Sequence, residues 1–388
     1  MKRFLNLLIF ALLASSFSIN AQTAQPERQG LPGPVLRDRE GEFKFLPIGV
    51  AFYNLENLFD TINNNDKYDL EFSPNGARQW DGRKYWSKIH NMAYAISQLA
   101  TERTPYGPAV LGVSEIENIT VLQDLVKDEQ IAKWNLQIVH HDSPDRRGVD
   151  VGFLYNPRFF KVLNVTHHRL SIEGEPEFLT RDQTCMTGLL CGEKVSLIVN
   201  HWPSRLGGEE LSSYKREAAA ALCKQIADSL WKEDPNQAII IMGDLNDDPH
   251  NSSCSKVLGA VRYKEEAVKN GFYNPFWNKL EKEGIGSLAY KGQWNLFDQI
   301  IISGNLVRDV REAEHIEIPN LVYTRCEVWN RDFLKGHEGS RVGYPLRTFS
   351  GGVFLNGYSD HFPTQIFLVK KVRPRDKQAP AAVPAPAN

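Results

Sequence analysis

Six short blocks of the chain place acids, amides or imidazoles at the edge of an apolar run. "IGVAFYNLENLF" carries Asn54 and Glu56, "AVLGVSEIEN" carries Glu115 and Glu117, and "VSLIVNHWPSR" carries Asn200, His201 and Arg205. "IIIMGDLNDDPH" carries Asp244 and Asn246, "NLFDQIIIS" carries Asp298, and "GYSDHFP" carries Ser359, Asp360 and His361. Each block alone reads as a cap, a turn, a loop acid, a packed histidine or half of a salt bridge. Together they put charge at the ends of buried strands, a costly place without a partner or a metal. Oxygen ligands without thiolates suit a hard cation, Mg²⁺ first, with Mn²⁺ or Ca²⁺ as alternatives. Histidines and asparagines supply donors for the non-bridging oxygens of a phosphate, and a free carboxylate can orient or deprotonate water. The chain holds no GxxxxGK[ST] loop, no GxSxG elbow and no HExxH pair, so P-loop nucleotide handling, the elbow serine and the zincin helix are excluded.

The elements that must carry these residues follow from the apolar patterns. Strands are expected at Ile48–Tyr53, Ala109–Val113, Asn135–His140, Val149–Tyr155, Val195–Asn200, Ala238–Met242, Phe297–Ile302 and Thr364–Leu368. The run Ile239 to Met242 reads as a strand buried on both faces, with Gly243 letting the chain turn before Asp244. Helices are expected over Tyr85–Leu99 and Leu211–Leu230, where apolar residues recur every three or four positions. Several strands follow one another without a helix, which argues for mixed or antiparallel sheets covered by helices rather than an alternating βα barrel. The polar stretch from Asp60 to Arg83 reads as a surface excursion.

Composition sets limits on function and address. The 388 residues are 42% hydrophobic with a formal net charge of −2, so no global basic field draws the protein to nucleic acid or anionic lipid. Met1-Lys2-Arg3, the apolar run Phe4–Leu13 and Asn20-Ala21-Gln22 have the layout of a signal peptide cut after Ala21. The organisation expected is a signal peptide at 1–21, a linker at 22–46, one catalytic domain at 47–370 and a disordered Pro/Ala-rich tail at 371–388. The protein is therefore expected to be exported, to the periplasm or beyond, with no transmembrane segment, no stable protein partner and a monomeric state. Five cysteines leave at least one unpaired, and Cys185 and Cys191, read as one strand, would stand roughly 20 Å apart, too far to bond.

In their order, N-x-[DE], an E block, NHWPSR, GDLND, a strand Asp and SDH, the blocks resemble the endonuclease/exonuclease/phosphatase superfamily of DNase I, apurinic endonucleases, inositol-polyphosphate 5-phosphatases and neutral sphingomyelinases. The resemblance runs from about Phe52 to Leu368 and is nearest to a secreted bacterial branch. It implies an α/β (α+β) fold, a DNase I-like four-layer α-β-β-α sandwich of two mixed β-sheets with the site at one end. It also implies that Glu115 is the principal metal ligand, with Asn54, Glu56 and Asp360 beside it. Asp244 would align or activate the water, Asn246 would hold it and the phosphate, Asp298 and His361 would form a carboxylate–imidazole pair, and His201 would touch the phosphate. The implied chemistry is in-line attack by water on a phosphate ester, most naturally DNA or RNA. Phospholipid head groups or small phosphate esters are the alternative within the same chemistry, and a non-catalytic binding protein is the alternative outside it.

Arginines near these blocks are candidates for the substrate rim. They are Arg147 in "SPDRRGVDVGFLY", Arg205 in "NHWPSR", and Arg341 and Arg347 in the basic stretch before the SDH block. Phe333, Tyr344 and Phe349 in that stretch could stack on bases or pack under the loop.

Overall fold

The computed structural model describes residues 36–37, 44–63, 70–315 and 320–372. The expected signal peptide, nearly all of the linker and the tail from 373 onward lie outside the described residues.

Eleven longer strands make two mixed sheets. They are β1 (Lys44–Leu58), β2 (Val110–Ile116), β3 (Gln137–His140), β4 (Asp150–Tyr155), β5 (Phe160–His168), β6 (Gln183–Leu190), β7 (Glu193–His201), β8 (Ala238–Asp244), β9 (Asp298–Ser303), β10 (Leu321–Val328) and β11 (Thr364–Val372). The first sheet runs β10-β11-β1-β2-β4-β3, with Leu36–Arg37 added on β1. The second runs Ala260–Val261, Phe272–Tyr273, β9-β8-β7-β6-β5. Each sheet has a parallel pair at its centre, β1 with β2 and β7 with β8, and the second sheet has another at its edge, Ala260–Val261 with Phe272–Tyr273.

β8 shows why the apolar run is continuous. Ile240 and Met242 join the main core, which holds residues of both sheets, while Ile239 and Ile241 join a second cluster with Ala219, Cys223 and Trp231 of helix α3 (Glu209–Glu233). A strand between a facing sheet and a covering helix needs apolar residues at every position. On the first sheet, Ile89, Met92 and Ile96 of α1 (Gly82–Gln98) and Val121, Leu122 and Leu125 of α2 (Ile119–Lys127) join the main core. The sheets approach closely enough at Gly112 that an added Cβ would lie 2.5 Å from Met242 Sδ.

Two expectations change. Gly243 makes no turn: it lies inside β8, where a Cβ would sit 2.3 Å from the backbone oxygen of Asn200 on β7. The described parts of the Asp60–Arg83 excursion are pinned rather than loose. Trp80 is fully buried with its indole N–H on the Phe59 carbonyl, and Phe72 stacks on Phe59 with centroids 4.6 Å apart. All five cysteines are free thiols.

Candidate active site

Strand register explains why residues far apart in sequence meet. His201 on β7 and Asp298 on β9 both stand opposite Asp244 on β8, so three chemical residues form one row at the end of the second sheet. In the first sheet Asn54 on β1 stands opposite Ser114 on β2, and irregularities in the ladder follow both positions. Glu115 occupies the irregularity between Ser114 and Ile116, and Glu56 lies in the one between Asn54 and Leu58. Bulges re-aim side chains at strand ends in this way.

The spacing of the blocks has a local cause. Asn54 Oδ1 accepts the backbone N–H of Glu56, Asp244 Oδ1 accepts that of Asn246, and Ser359 Oγ accepts that of His361. Each is a turn closed by a short polar side chain onto the residue two further on. Asn-x-Glu, Asp-x-Asn and Ser-x-His are therefore one device used three times. Ser359 also donates to the Asn54 carbonyl, tying the last block to the first. Glu56, Asn57, Glu115 and Asn246 all have positive φ, from 45° to 58°, a conformation L-residues adopt at a cost of order 1–3 kcal/mol and keep where the surroundings impose it.

The side chains converge. Asn54 Nδ2 donates to Asp244 Oδ2 at 3.0 Å. That oxygen lies 3.6 Å from His201 Nε2 and 3.9 Å from His361 Nε2. Glu115 Oε1 lies 4.0 Å from the same His201 nitrogen. His361 Nδ1 meets Asp298 Oδ2 at 2.6 Å, and Ser287 Oγ donates to that carboxylate oxygen at 2.5 Å. Asn246 spends one amide hydrogen on the Trp202 carbonyl.

The two imidazoles are held in opposite states. Burial works against charge on His361, but Asp298 and Asp244 outweigh it and raise its pKa well above the usual histidine value. Burial, reinforced by Arg181 and Arg147, pushes His201 well below it, so that ring stays neutral. Asp244 is pushed up to about 7, first by burial and further by Asp298 and Glu115, although His361 opposes the shift. Such divergence among neighbouring groups is how a site assigns acid and base roles.

The remaining acids are already paired. Glu56 accepts from the Thr348 N–H at 2.6 Å and from Arg347 Nε at 3.2 Å, with Lys88 Nζ at 3.9 Å. Arg347 Nη2 reaches Asp360 Oδ2 at 2.7 Å. Arg147 stands 3.5 Å from Glu115 and donates to Asn57 Oδ1. Arg205 differs from its expected substrate role. Its guanidinium binds the Asn246 carbonyl, Asp247, Asn251 and Glu209, so it braces the loop after β8 instead. Arg341 is exposed in the turn Gly339–Arg341 and lines a cleft beside Arg347, and no described bond joins it to the convergent residues. Of the aromatics, Phe333 packs on Tyr94, Trp329 and Tyr358, Tyr344 on Trp294, and Phe349 on Trp80 and Phe354. They pack under the loop.

Sequence reading missed three buried cations. Lys88 lies on the apolar face of α1 between Tyr85 and Met92, and Arg216 lies on that of α3 between Ser212 and Ala219. Arg216 Nε meets Asp247 Oδ1 at 2.7 Å. Arg181 donates to the carbonyls of His201 and Trp202 and pairs with Asp145, bracing the turn that carries His201. A basic residue at an apolar-face position of a helix was the available signal for the first two.

The donor set fits a divalent cation. Carboxylates and one amide are hard oxygen donors, Asp298 Oδ1 is buried without a protein partner, and Asp244 carries acids on two sides. Asp244, Asp298 and His361 gather within 4.8 Å of one another, and because Asp298 and Asp244 hold the His361 ring charged, the carboxylates and not the imidazole would hold the ion.

A two-sheet α+β sandwich with an aspartate, a carboxylate–imidazole pair and further acids at one sheet end defines a phosphoester-hydrolysing enzyme. The sequence profile of the Endonuclease/Exonuclease/phosphatase family matches residues 49–370, and the chain belongs to that family. A sequence comparison with curated proteins returns no match. Among solved structures, a Bacteroides thetaiotaomicron endonuclease/exonuclease/phosphatase family protein is similar at 15% identity and a TM-score of 0.51, over 84% of this chain and 96% of that one. D. rerio TDP2 humanized by 14 mutations is similar at 13% identity and a TM-score of 0.50, over 83% and 98%. The B. thetaiotaomicron mannosyl-6-phosphatase Bt3783 follows at 16% identity and a TM-score of 0.48, over 84% and 99%. At these identities the first two likenesses are of fold, and they agree with the two-sheet sandwich. No helix among the described residues is long and apolar enough to cross a membrane.

Proposed function

We propose that the chain is an exported, divalent-metal-dependent phosphodiesterase that cleaves its substrate by in-line attack of water. The observation that carries the reading is the buried Asp298–His361 pair at 2.6 Å, whose other ring nitrogen faces Asp244 at 3.9 Å. His361, held protonated, donates to a phosphate oxygen or supplies a proton to the leaving alcohol. Asp244, with a pKa of about 7, orients the attacking water and accepts its proton near neutral pH. His201 Nε2 faces two carboxylates, which draw the proton of the neutral ring to that nitrogen and make it a donor. The second amide hydrogen of Asn246 and the amide of Asn54 complete the cradle. Glu115, the expected principal ligand, would carry the ion, Mg²⁺ first, which when bound supplies charge against the developing phosphoryl oxygens.

The family resemblance makes a nucleic-acid backbone the first substrate, although the near-neutral net charge weakens that case. One set of observations favours a smaller phosphate ester: Phe333, Tyr344 and Phe349 are each engaged with other aromatic rings, and Arg205 is engaged in the loop. The test is turnover of bis-p-nitrophenyl phosphate, p-nitrophenyl phosphate, plasmid DNA, RNA and phospholipid, with Mg²⁺ and with EDTA. The reading expects metal-dependent diester cleavage that is lost in His361→Ala, and the substrate ranking separates nucleic acid from small esters. Turnover unaffected by EDTA sinks the metal, and an inert wild-type protein revives a binding role. Export is tested by N-terminal sequencing of the mature protein, expected to begin at Gln22.

A further inference from the structure

A second set of donors, mixed in type, stands away from the catalytic residues in the first sheet. His140 ends β3 and Asp150 begins β4, and the loop between them, residues 141–149, carries Arg147 to Glu115. His140 Nε2 lies 3.2 Å from Asp150 Oδ2 and 4.0 Å from Asp142 Oδ1, and one donor atom from each of the three lies within 4.8 Å of the others. Ligand atoms around a tetrahedral ion with bonds near 2.1 Å stand about 3.4 Å apart. The observed spacing therefore needs only a small inward movement, which the exposed Asp142 side chain has room to make. The other two donors are held in place. The side chains of His140 and Asp150 are 4% and 1% exposed. Asp150 Oδ1 accepts the Ser143 N–H at 2.9 Å and the Ser143 hydroxyl, which leaves Oδ2 turned to His140. Among the described residues no lysine or arginine pairs with Asp150, and a buried carboxylate without a cation is costly. An imidazole beside two carboxylates suits a borderline transition ion, whereas the oxygen donors of the catalytic centre suit a hard one.

We propose that His140, Asp142 and Asp150 bind a transition-metal ion of the Zn²⁺ class, which closes the base of the loop that carries Arg147. The ion takes the place of the contact between His140 and Asp150, so it joins the residues on either side of the loop. The neutral His140 ring, with its proton on Nδ1, presents the Nε2 lone pair to the ion, and water fills the fourth position. Ser143 then orients a ligand from outside, as hydrogen-bond partners of metal-binding carboxylates do. The site is independent of the ion proposed at the catalytic centre. It bears on the reaction only through the placement of Arg147. His141 turns elsewhere, with Nε2 3.4 Å from Asp182 and its ring stacked on His167, and is not part of the site.

The experiment is Zn²⁺ titration of the untagged, chelator-treated full chain against a chromophoric competing chelator, with excess Mg²⁺ present. Wild type is expected to take up one equivalent that Mg²⁺ does not displace. Affinity is expected to fall by about tenfold or more in Asp142→Asn and in His140→Asn, and to be unchanged in His141→Asn. Asp142 is exposed, so its variant tests a ligand without disturbing the core. Zn²⁺ is also expected to slow tryptic cleavage after the exposed Arg146 and Arg147 in wild type and not in Asp142→Asn. No uptake in the presence of Mg²⁺, undiminished uptake by both ligand variants, or loss of uptake in His141→Asn overturns the proposal. Uptake lost in Glu115→Gln places the zinc at the catalytic centre and overturns it too. Uptake without protection of the loop overturns its closing role. Each of these results leaves the proposed hydrolase standing.

Discussion

Replacing Asp298 with asparagine keeps the shape of the site and removes one charge. The His361 cation has two close anions, Asp298 at 2.6 Å and Asp244 at 3.9 Å. With an effective dielectric near 20 these attractions amount to ~6 and ~4 kcal/mol. Desolvating a buried imidazolium costs several kcal/mol. With both anions present attraction wins, in agreement with the raised pKa of His361. With Asp244 alone the two effects nearly cancel, and the ring should titrate near or below its free value of about 6.5.

The consequence is a change in pH profile as well as rate. A pKa raised by folding means the stabilising charge is present below the free value and is lost as pH rises through the higher folded value. Wild type should keep its His361-dependent activity and stability across neutral pH. Asp298→Asn should lose activity as pH rises above about 6.5, by up to tenfold per unit, on top of a general fall of about 10²–10³ from losing a positioned acid. Breaking a buried pair destabilises by about 3 kcal/mol, less here because the amide can still accept from Ser287. The assay is kcat/KM on bis-p-nitrophenyl phosphate from pH 5 to 9, with thermal melts at each pH. A variant whose profile parallels wild type, or whose kcat falls less than threefold, would refute the charge argument.

Three further outcomes follow from packing and ligation. Glu115→Gln should raise the Mg²⁺ concentration needed for half-maximal activity at least tenfold while changing the melting temperature little, because Glu115 holds the Asn57 N–H and a half-exposed Arg147 and meets His201 only at 4.0 Å. Gly243→Ala forces a Cβ against the Asn200 backbone at 2.3 Å, and overpacking of this kind should cost about 1–3 kcal/mol in a thermal melt and displace Asp244, lowering kcat as well. Arg216→Met leaves Asp247 buried without its nearest cation and should destabilise by about 3 kcal/mol, whereas Arg205→Met, at a half-buried position, should cost under half as much. Equal losses for the two arginine variants would contradict the burial argument.

What the sequence disclosed and what it hid divide along one physical line. The central strands were legible because burial on both faces forces unbroken apolar runs, as in Ile239–Met242. β5, β6 and β10 were not among the expected strands: β5 is half exposed, carries a bulge between Val162 and Asn164 and has little alternation to read, and β6, though interior, mixes Thr and Gly into its run. The acids and imidazoles were legible because they sit at strand ends, and three of the blocks are closed by a local turn that leaves a short motif. The partners of Arg205 were not legible: it sits inside the NHWPSR motif, yet it binds Asp247 and Asn251, some forty residues away.

The counter-charges leave no such motif, because a buried lysine or arginine needs only to be on the inward face of whatever helix passes behind the site. Lys88 reaches Thr348 and Tyr358 across some 260 residues of sequence, and no local pattern records that distance. The charge state of the site is nonetheless fixed by these cations as much as by the acids. Glu56 is pushed up to about 7 by burial and by Asp360, and Lys88 and Arg347 hold it back from rising further. Lys88 is itself pushed down to about 8 by burial, with Glu56 opposing. Burial thus works against both charges, and each of the two groups helps to keep the other ionised.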